Sequence, residues 1–112
     1  VDIERRGQWL RGVLDLCVLG LLRDRESYGY QLAQALEAAG IGSIQGGTLY
    51  PVLLRLQRTG LVSAQWREGA AGPARKYYRI TDLGRAELRR GGQDWLAFVA
   101  PVTGLVTERV DG

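Results

Sequence analysis

A chain of 112 residues is one domain, long enough for a single core but marginal alone, so a partner subunit is expected to help cover it. With 46% hydrophobic and 24% charged residues it is globular rather than disordered. The net charge of +3 is unevenly placed: from Arg55 to Arg90 nine basic residues stand against three acids, and the remainder is net acidic, a one-sided pattern that suits a nucleic-acid partner.

Residues 1–7 are polar and read as a fraying lead-in. A helix is predicted from about Gln8 to Arg23, with Trp9, Leu10, Leu14, Cys17, Val18 and Leu21 among apolar residues that fill more than one stripe. Such a helix must be buried on two sides, one against its own core and the other against a second subunit. Its longest apolar stretch, Leu10 to Leu22, carries Arg11 and Asp15 and falls short of the ~18–20 residues that span a bilayer. The N-terminus lacks the layout of a secretory signal, and the single cysteine, Cys17, has no second thiol to pair with. A reduced, cytoplasmic protein without membrane association is expected.

Ser27 is the expected N-cap of a second helix, with Tyr28, Leu32, Leu36 and Ala39 facing inward and Gly40 as its stop. Ile41 to Gln45 form a short turn. In the third helix Leu49, Val52, Leu53 and Leu56 make one buried stripe at i, i+3, i+4 and i+7. The other face offers Thr48, Tyr50, Arg55 and Arg58 to phosphates or base edges. Pro51 should sit in the first turn, which places the helix start near Gly47 or Thr48. Helix, short turn, helix of this size is a helix-turn-helix.

Leu61 to Arg67 and Lys76 to Ile80 alternate as half-buried strands, with Val62, Ala64 and Trp66 on one side of the first. Gly69 to Pro73 read as a flexible hairpin loop between them, so the pair forms a basic wing. Thr81 then caps a final helix from Asp82 into the Trp95–Val106 region; Gly91 and Gly92 lie inside it, and Pro101 should kink or end it. The expected fold is mainly α with a small β-wing: a winged helix-turn-helix over residues 8–81, followed by a C-terminal dimerisation helix over residues 82–108.

Tyr28-Gly29-Tyr30-Gln31-Leu32, Gly47-Thr48-Leu49-Tyr50-Pro51, Arg55-Leu56, Gly60-Leu61-Val62 and Gly72-Pro73-Ala74-Arg75-Lys76-Tyr77-Tyr78-Arg79-Ile80-Thr81 resemble the signature of the PadR family of bacterial transcription regulators. The resemblance runs from about Arg11 to Trp95 and is to the compact members of the family. It implies a homodimeric winged helix-turn-helix repressor that binds double-stranded operator DNA, its first and last helices forming the dimer interface. It also implies a pore at the dimer centre for a small, planar, hydrophobic effector, with Trp95 as a stacking platform and Leu14, Val18, Leu88, Val99 and Val102 around it. Gly92 stands where ligand-binding relatives have a large side chain, and Val99 where an acidic partner for a cation would stand. This speaks against a cationic ligand and leaves room for a neutral aromatic one.

Arg75 and Lys76, at the loop–strand junction, are expected to reach phosphates, wing residues of this kind often entering the minor groove. Tyr77 and Tyr78 point to opposite faces, so one packs on the core and the other is open to a phosphate. Tyr28 and Tyr30 begin the second helix, an end that attracts anions; either one touches a phosphate or both pack on the third helix. Gln45 and Thr48 start the third helix and are candidates for base or phosphate contacts. Trp95 is a ligand platform, dimer core, or both, and Trp9 and Trp66 are core or interface residues.

An enzyme is not expected. Histidine, the usual general base near neutral pH, is absent from the chain, and Cys17 has no activating neighbour in sequence. No cofactor or metal-ligand pattern is visible. The alternative to a DNA-binding regulator is a winged-helix interaction module that does not bind DNA; steep loss of DNA binding with salt separates the two.

Overall fold

The computed structural model describes residues 2–108. In chain order these form α1 (Ile3–Leu10), α2 (Leu14–Leu22), β1 (Ser27–Tyr28), α3 (Gly29–Ala38), α4 (Gly46–Arg58), β2 (Val62–Gly69), β3 (Gly72–Ile80) and α5 (Asp82–Val106). The fold is mainly helical, with a small antiparallel sheet in the order β1-β3-β2 and a long C-terminal helix. This is the predicted winged helix-turn-helix, with α3 and α4 as the helix pair and β2–β3 as the wing.

The amino-terminal residues depart from the expected frayed lead-in. The Asp2 carboxylate accepts the Arg5 N–H at 3.1 Å, which satisfies an orphan donor and starts α1 at Ile3. The single helix expected over Gln8–Arg23 is two helices. At the break the Val13 N–H donates to the Leu10 carbonyl at 3.0 Å, one residue short of an α-helical bond, and Val13 leaves the helical region at φ −130°. From there α2 buries Leu14, Val18, Leu19 and Leu22, while α1 buries no residue and leaves Trp9 exposed. Cys17 is half-buried in α2, and desolvation pushes its thiol pKa up, away from a reactive thiolate.

Ser27 does not cap α3. It pairs with Tyr78 in the sheet, and Tyr28 takes the cap position, its N–H donating to Gln31 Oε1 at 3.3 Å. Leu32 and Leu36 are buried as expected; Ala39 is exposed, because the chain turns away at Gly40 with φ +86°. Helix α4 starts at Gly46, so Pro51 is its sixth residue and lies beyond the first turn. Its missing N–H leaves the Gly47 carbonyl without an intrahelical partner, at an exposed residue where water can take that place. The stripe of Leu49, Val52, Leu53 and Leu56 is fully buried.

The wing strands are longer than predicted. The five-residue loop is only a turn at Ala70-Ala71, since Gly69 pairs with Gly72 across an irregularity that follows Arg67. Glycine tolerates such a bulge at little steric cost. Tyr78 is the inward member of the tyrosine pair. On β2 the inward alternation begins with buried Val62 and half-buried Ala64, but Trp66 is exposed because the strand runs past the end of the helical layer.

The Thr81 hydroxyl accepts the Gly84 N–H at 3.0 Å and opens α5. The helix continues through Gly91, Gly92 and Pro101 to Val106, so Pro101 does not end it. Proline deprives only the Ala97 carbonyl of a partner, and Ala97 is exposed to water. One apolar seam with alternating steps of four and three runs down α5. Gly84, Leu88 and Gly91 lie on the core; Trp95, Phe98, Val102 and Leu105 continue the seam on an uncovered half of the helix. This protruding half makes the molecule elongated, 63 × 29 × 21 Å. No helix among the described residues is long and apolar enough to cross a membrane.

Candidate nucleic-acid interface

Helix α4 begins with Gln45 as its N-cap residue and Gly46, Gly47 and Thr48 as its first turn, all exposed. The Gln45 carbonyl accepts the N–H groups of both Thr48 and Leu49 at 2.9 Å. The first N–H groups of any helix lack intrahelical partners, and two glycines leave them open to an anion. Gln45 and Thr48 also line a groove of about 730 Å³ whose far wall is α1, through Ile3, Arg6 and Leu10. Arg6 rests on Gly42 in the turn before α4. The sequence reading set α1 aside, so it missed this wall; Asp2 before Ile3 was the only local sign of it.

Tyr30 and Tyr50 come together in the next groove, against Gly29 and Gly46. The Tyr50 ring lies over Gly29, where an added Cβ would meet its hydroxyl at 2.7 Å. The Tyr30 hydroxyl accepts from Gln34 Nε2 at 3.0 Å, which leaves its own O–H free to donate outward.

The wing is stitched to α3 by an aromatic ladder. The Arg75 guanidinium stacks 4.5 Å over the Tyr28 ring, Tyr28 meets Tyr77 edge-to-face at 5.4 Å, and Arg67 stacks 4.7 Å over Tyr77. Glu26 grips Arg67 with both carboxylate oxygens, one at 2.9 Å, and that hydrogen bond holds the Glu26 pKa below the usual carboxylate range. Tyr77 is therefore half-buried within the ladder rather than standing free. Lys76 lies on the other face, 5.6 Å from the Tyr78 ring. Arg75 and Lys76 are within β3, not at a loop–strand junction.

Arg55 is engaged. Its Nε donates to Asp15 Oδ2 at 3.1 Å and its Nη2 to Oδ1 at 2.6 Å. Neither Asp15 nor Glu26 was singled out as a partner in the sequence, and no local signal marks them: the pairs are 40 and 41 residues apart.

The residues expected around a ligand are split. Leu14 and Val18 are closed into the core of the winged domain, at 3% and 0% exposure, and present no surface in a single chain. Leu88 packs partly on that core. Trp95, with Phe98 beside it at 6.5 Å between ring centroids, opens onto a cavity of about 610 Å³ between α2 and α5 that also holds Leu16, Asp15, Glu87 and Asp94. Val99 is half-buried and Val102 partly exposed on the same helix.

Comparison with known proteins agrees with this architecture. The sequence profile described as the transcriptional regulator PadR-like family matches residues 18–90. An uncharacterised protein of Lysinibacillus sphaericus is 36% identical over 92 residues, 80% of this chain and 84% of that one. Transcriptional regulator Rv3488 of Mycobacterium tuberculosis is 38% identical over 81 residues, 72% of this chain and 74% of its own. Among solved structures, a PadR-like transcriptional regulator from Bacillus cereus superposes with a TM-score of 0.79 at 36% identity, covering 91% of this chain and 99% of that one. A PadR family regulator from Eggerthella lenta gives 0.79 at 37%, covering 91% and 88%. The chain belongs to the PadR-like family, whose members are transcriptional regulators and not enzymes.

Proposed function

We propose that this regulator binds double-stranded operator DNA as a two-fold homodimer and represses transcription from the cytoplasm. Residues 8–81 contact DNA and residues 82–108 dimerise. The observation that carries this proposal is the stacking of Arg75 on Tyr28, the residue that caps α3. It brings a wing cation to a helix end that attracts anions, beside Tyr30 and Tyr50. Gln45 and Thr48 then enter the major groove at the start of α4, and Lys76 and Tyr77 support the wing against the phosphate backbone. Arg55, engaged by Asp15, shapes this surface rather than adding free charge to it.

A two-fold dimer presents two α4 helices to successive major grooves, so the operator is a palindrome with half-sites about 10 base pairs apart. Arg75→Ala and Lys76→Ala each weaken binding to all sequences and lower the slope of log affinity against log salt by about 0.9. Titrations at several salt concentrations check this. A change in preferred sequence with the slope intact would show that the wing reads bases instead.

A planar hydrophobic effector stacks on Trp95, with Leu88 and Val99 beside it, and relieves repression by preferring one spacing of the two α5 helices. Its coupling to DNA affinity is modest, about 1–3 kcal/mol. Tryptophan fluorescence with planar aromatic dyes tests the site: Trp95→Ala loses dye affinity, and dye bound to wild type shifts operator affinity. Equal dye affinity in both proteins reduces Trp95 to interface packing.

A further inference from the structure

Asp15 sits in the first turn of α2, where a carboxylate is favoured by the helix dipole, and Arg55 near the end of α4, where a cation is. Their two hydrogen bonds form a fork-on-fork pair, the most directional geometry available to these groups. They are the only side-chain hydrogen bonds between α2 and α4 among the described residues; all other contact there is non-directional apolar packing. The pair also stands at a junction. Arg11, Asp15 and Arg55 line both the groove that holds Gln45 and Thr48 and the cavity that holds Trp95 and Phe98. Behind it, α5 lies hard on α2: a Cβ at Gly91 would come within 2.6 Å of Leu16 Cδ2.

We propose that Asp15 is a positioning residue for DNA recognition. By gripping Arg55 it fixes the azimuth of α4 on α2, and so the direction in which Gln45 and Thr48 are presented. Leucine packing holds α4 in place but lets it roll; a bidentate pair removes that freedom. The proposal rests on α4 being the DNA-reading helix. It assigns Arg55, though exposed, to the pair with Asp15 rather than to a phosphate, and makes Asp15 matter for sequence discrimination although it touches no DNA.

The test compares Asp15→Asn, Arg55→Gln and the exchanged pair Asp15→Arg/Arg55→Asp with the wild type. Two DNA probes are used: the duplex that wild type selects from a random-sequence pool, and poly(dI-dC). Amide hydrogen exchange of α3, α4 and α5 is followed without DNA. The single variants should lower the ratio of selected to non-specific affinity about fivefold, the scale of a well-formed, partly exposed pair, with the salt slope unchanged. They should raise exchange in α4 alone, and the exchanged pair should recover most of both effects. An unchanged affinity ratio overturns the proposal. So does a rise in affinity with a salt slope steeper by about one in Asp15→Asn, since Arg55 would then be a masked phosphate contact. Unaltered α4 exchange overturns the positioning role whether or not the protein binds DNA. Failure of wild type to bind either probe, with α4 exchange still sensitive to the pair, would sink the DNA-binding proposal and not the grip.

Discussion

If the chain dimerises as proposed, Phe98→Asp/Val102→Asp should be monomeric at concentrations where the wild type is a dimer. The seam on α5 shows why. Gly84, Leu88 and Gly91 are used inside the subunit, while Trp95, Phe98, Val102 and Leu105 follow at the same spacing and stay partly or largely exposed. Phe98 is 64% exposed in the single chain, so the substitutions cost the protomer itself little. Across a two-fold axis, however, each brings two uncompensated carboxylates into an apolar contact. A buried charge left without a partner costs about 3–5 kcal/mol. Even two such losses out of the four weaken association by a factor on the order of 10⁴ or more. Sedimentation equilibrium at micromolar concentration is the check, with Phe98→Leu as a variant that should stay dimeric. A double-aspartate variant that sediments as a dimer would place the interface elsewhere, with α1 and its exposed Trp9 the next place to look.

Gly84→Ala should be the most destabilising single methyl group in the winged domain. An added Cβ would overlap the Leu61 carbonyl oxygen, lie 3.0 Å from its carbon and 2.7 Å from Ile80 Cγ1. Two of these are backbone atoms that cannot rotate away. The same Leu61 carbonyl accepts the Thr81 N–H at 3.1 Å, and the Gly84 N–H donates to Thr81 Oγ1. Relieving the overlap therefore pulls apart the joint where the wing hands over to α5. Overpacking against a rigid neighbour costs about 3 kcal/mol, which for a domain of this size lowers Tm by roughly 15 °C. Gly92→Ala, with nothing within 4 Å of its new methyl, should do the opposite on the same helix and stabilise by about 1 kcal/mol. Thermal melts of the two variants side by side decide it; opposite signs, with the larger effect at Gly84, are the expectation, and a neutral Gly84→Ala would mean that Leu61 can move freely.

What was legible in the sequence is what depends on short-range periodicity or on one residue's backbone. The α4 stripe, the Thr81 cap and the stops at Gly40 and Gly60, with φ +86° and +77°, are of this kind. What was not legible depends on partners far along the chain. Ser27 has the side chain of an N-cap, but pairing with Tyr78 claims its backbone. Nothing near Leu14 and Val18 in the sequence tells that α3, α4 and the sheet close over them in the single chain. Arg55 looked free on the open face of its helix because nothing near it in sequence announces Asp15. The two prolines erred in the same direction: inside Gly46–Arg58 and Asp82–Val106, a single lost N–H does not outweigh a helix otherwise held by its caps and packing. Trp66 shows the converse failure, a correct alternation carried beyond the point where there is a core to face.

The place where α5 leaves the core has a kinetic side. The hand-over from internal to external packing falls at Gly91-Gly92, two residues that each weaken a helix by about 1 kcal/mol. If the protein dimerises as proposed, the half of α5 beyond Gly91-Gly92 is the part of the protomer with the fewest contacts of its own to hold it helical. Ordering of that stretch and encounter of the two subunits would then be coupled, and helical content should fall on dilution together with the proposed dimer. In such a dimer, separation of the two subunits would carry the added cost of loosening this half of each α5, and exchange of subunits would be slow compared with their first encounter.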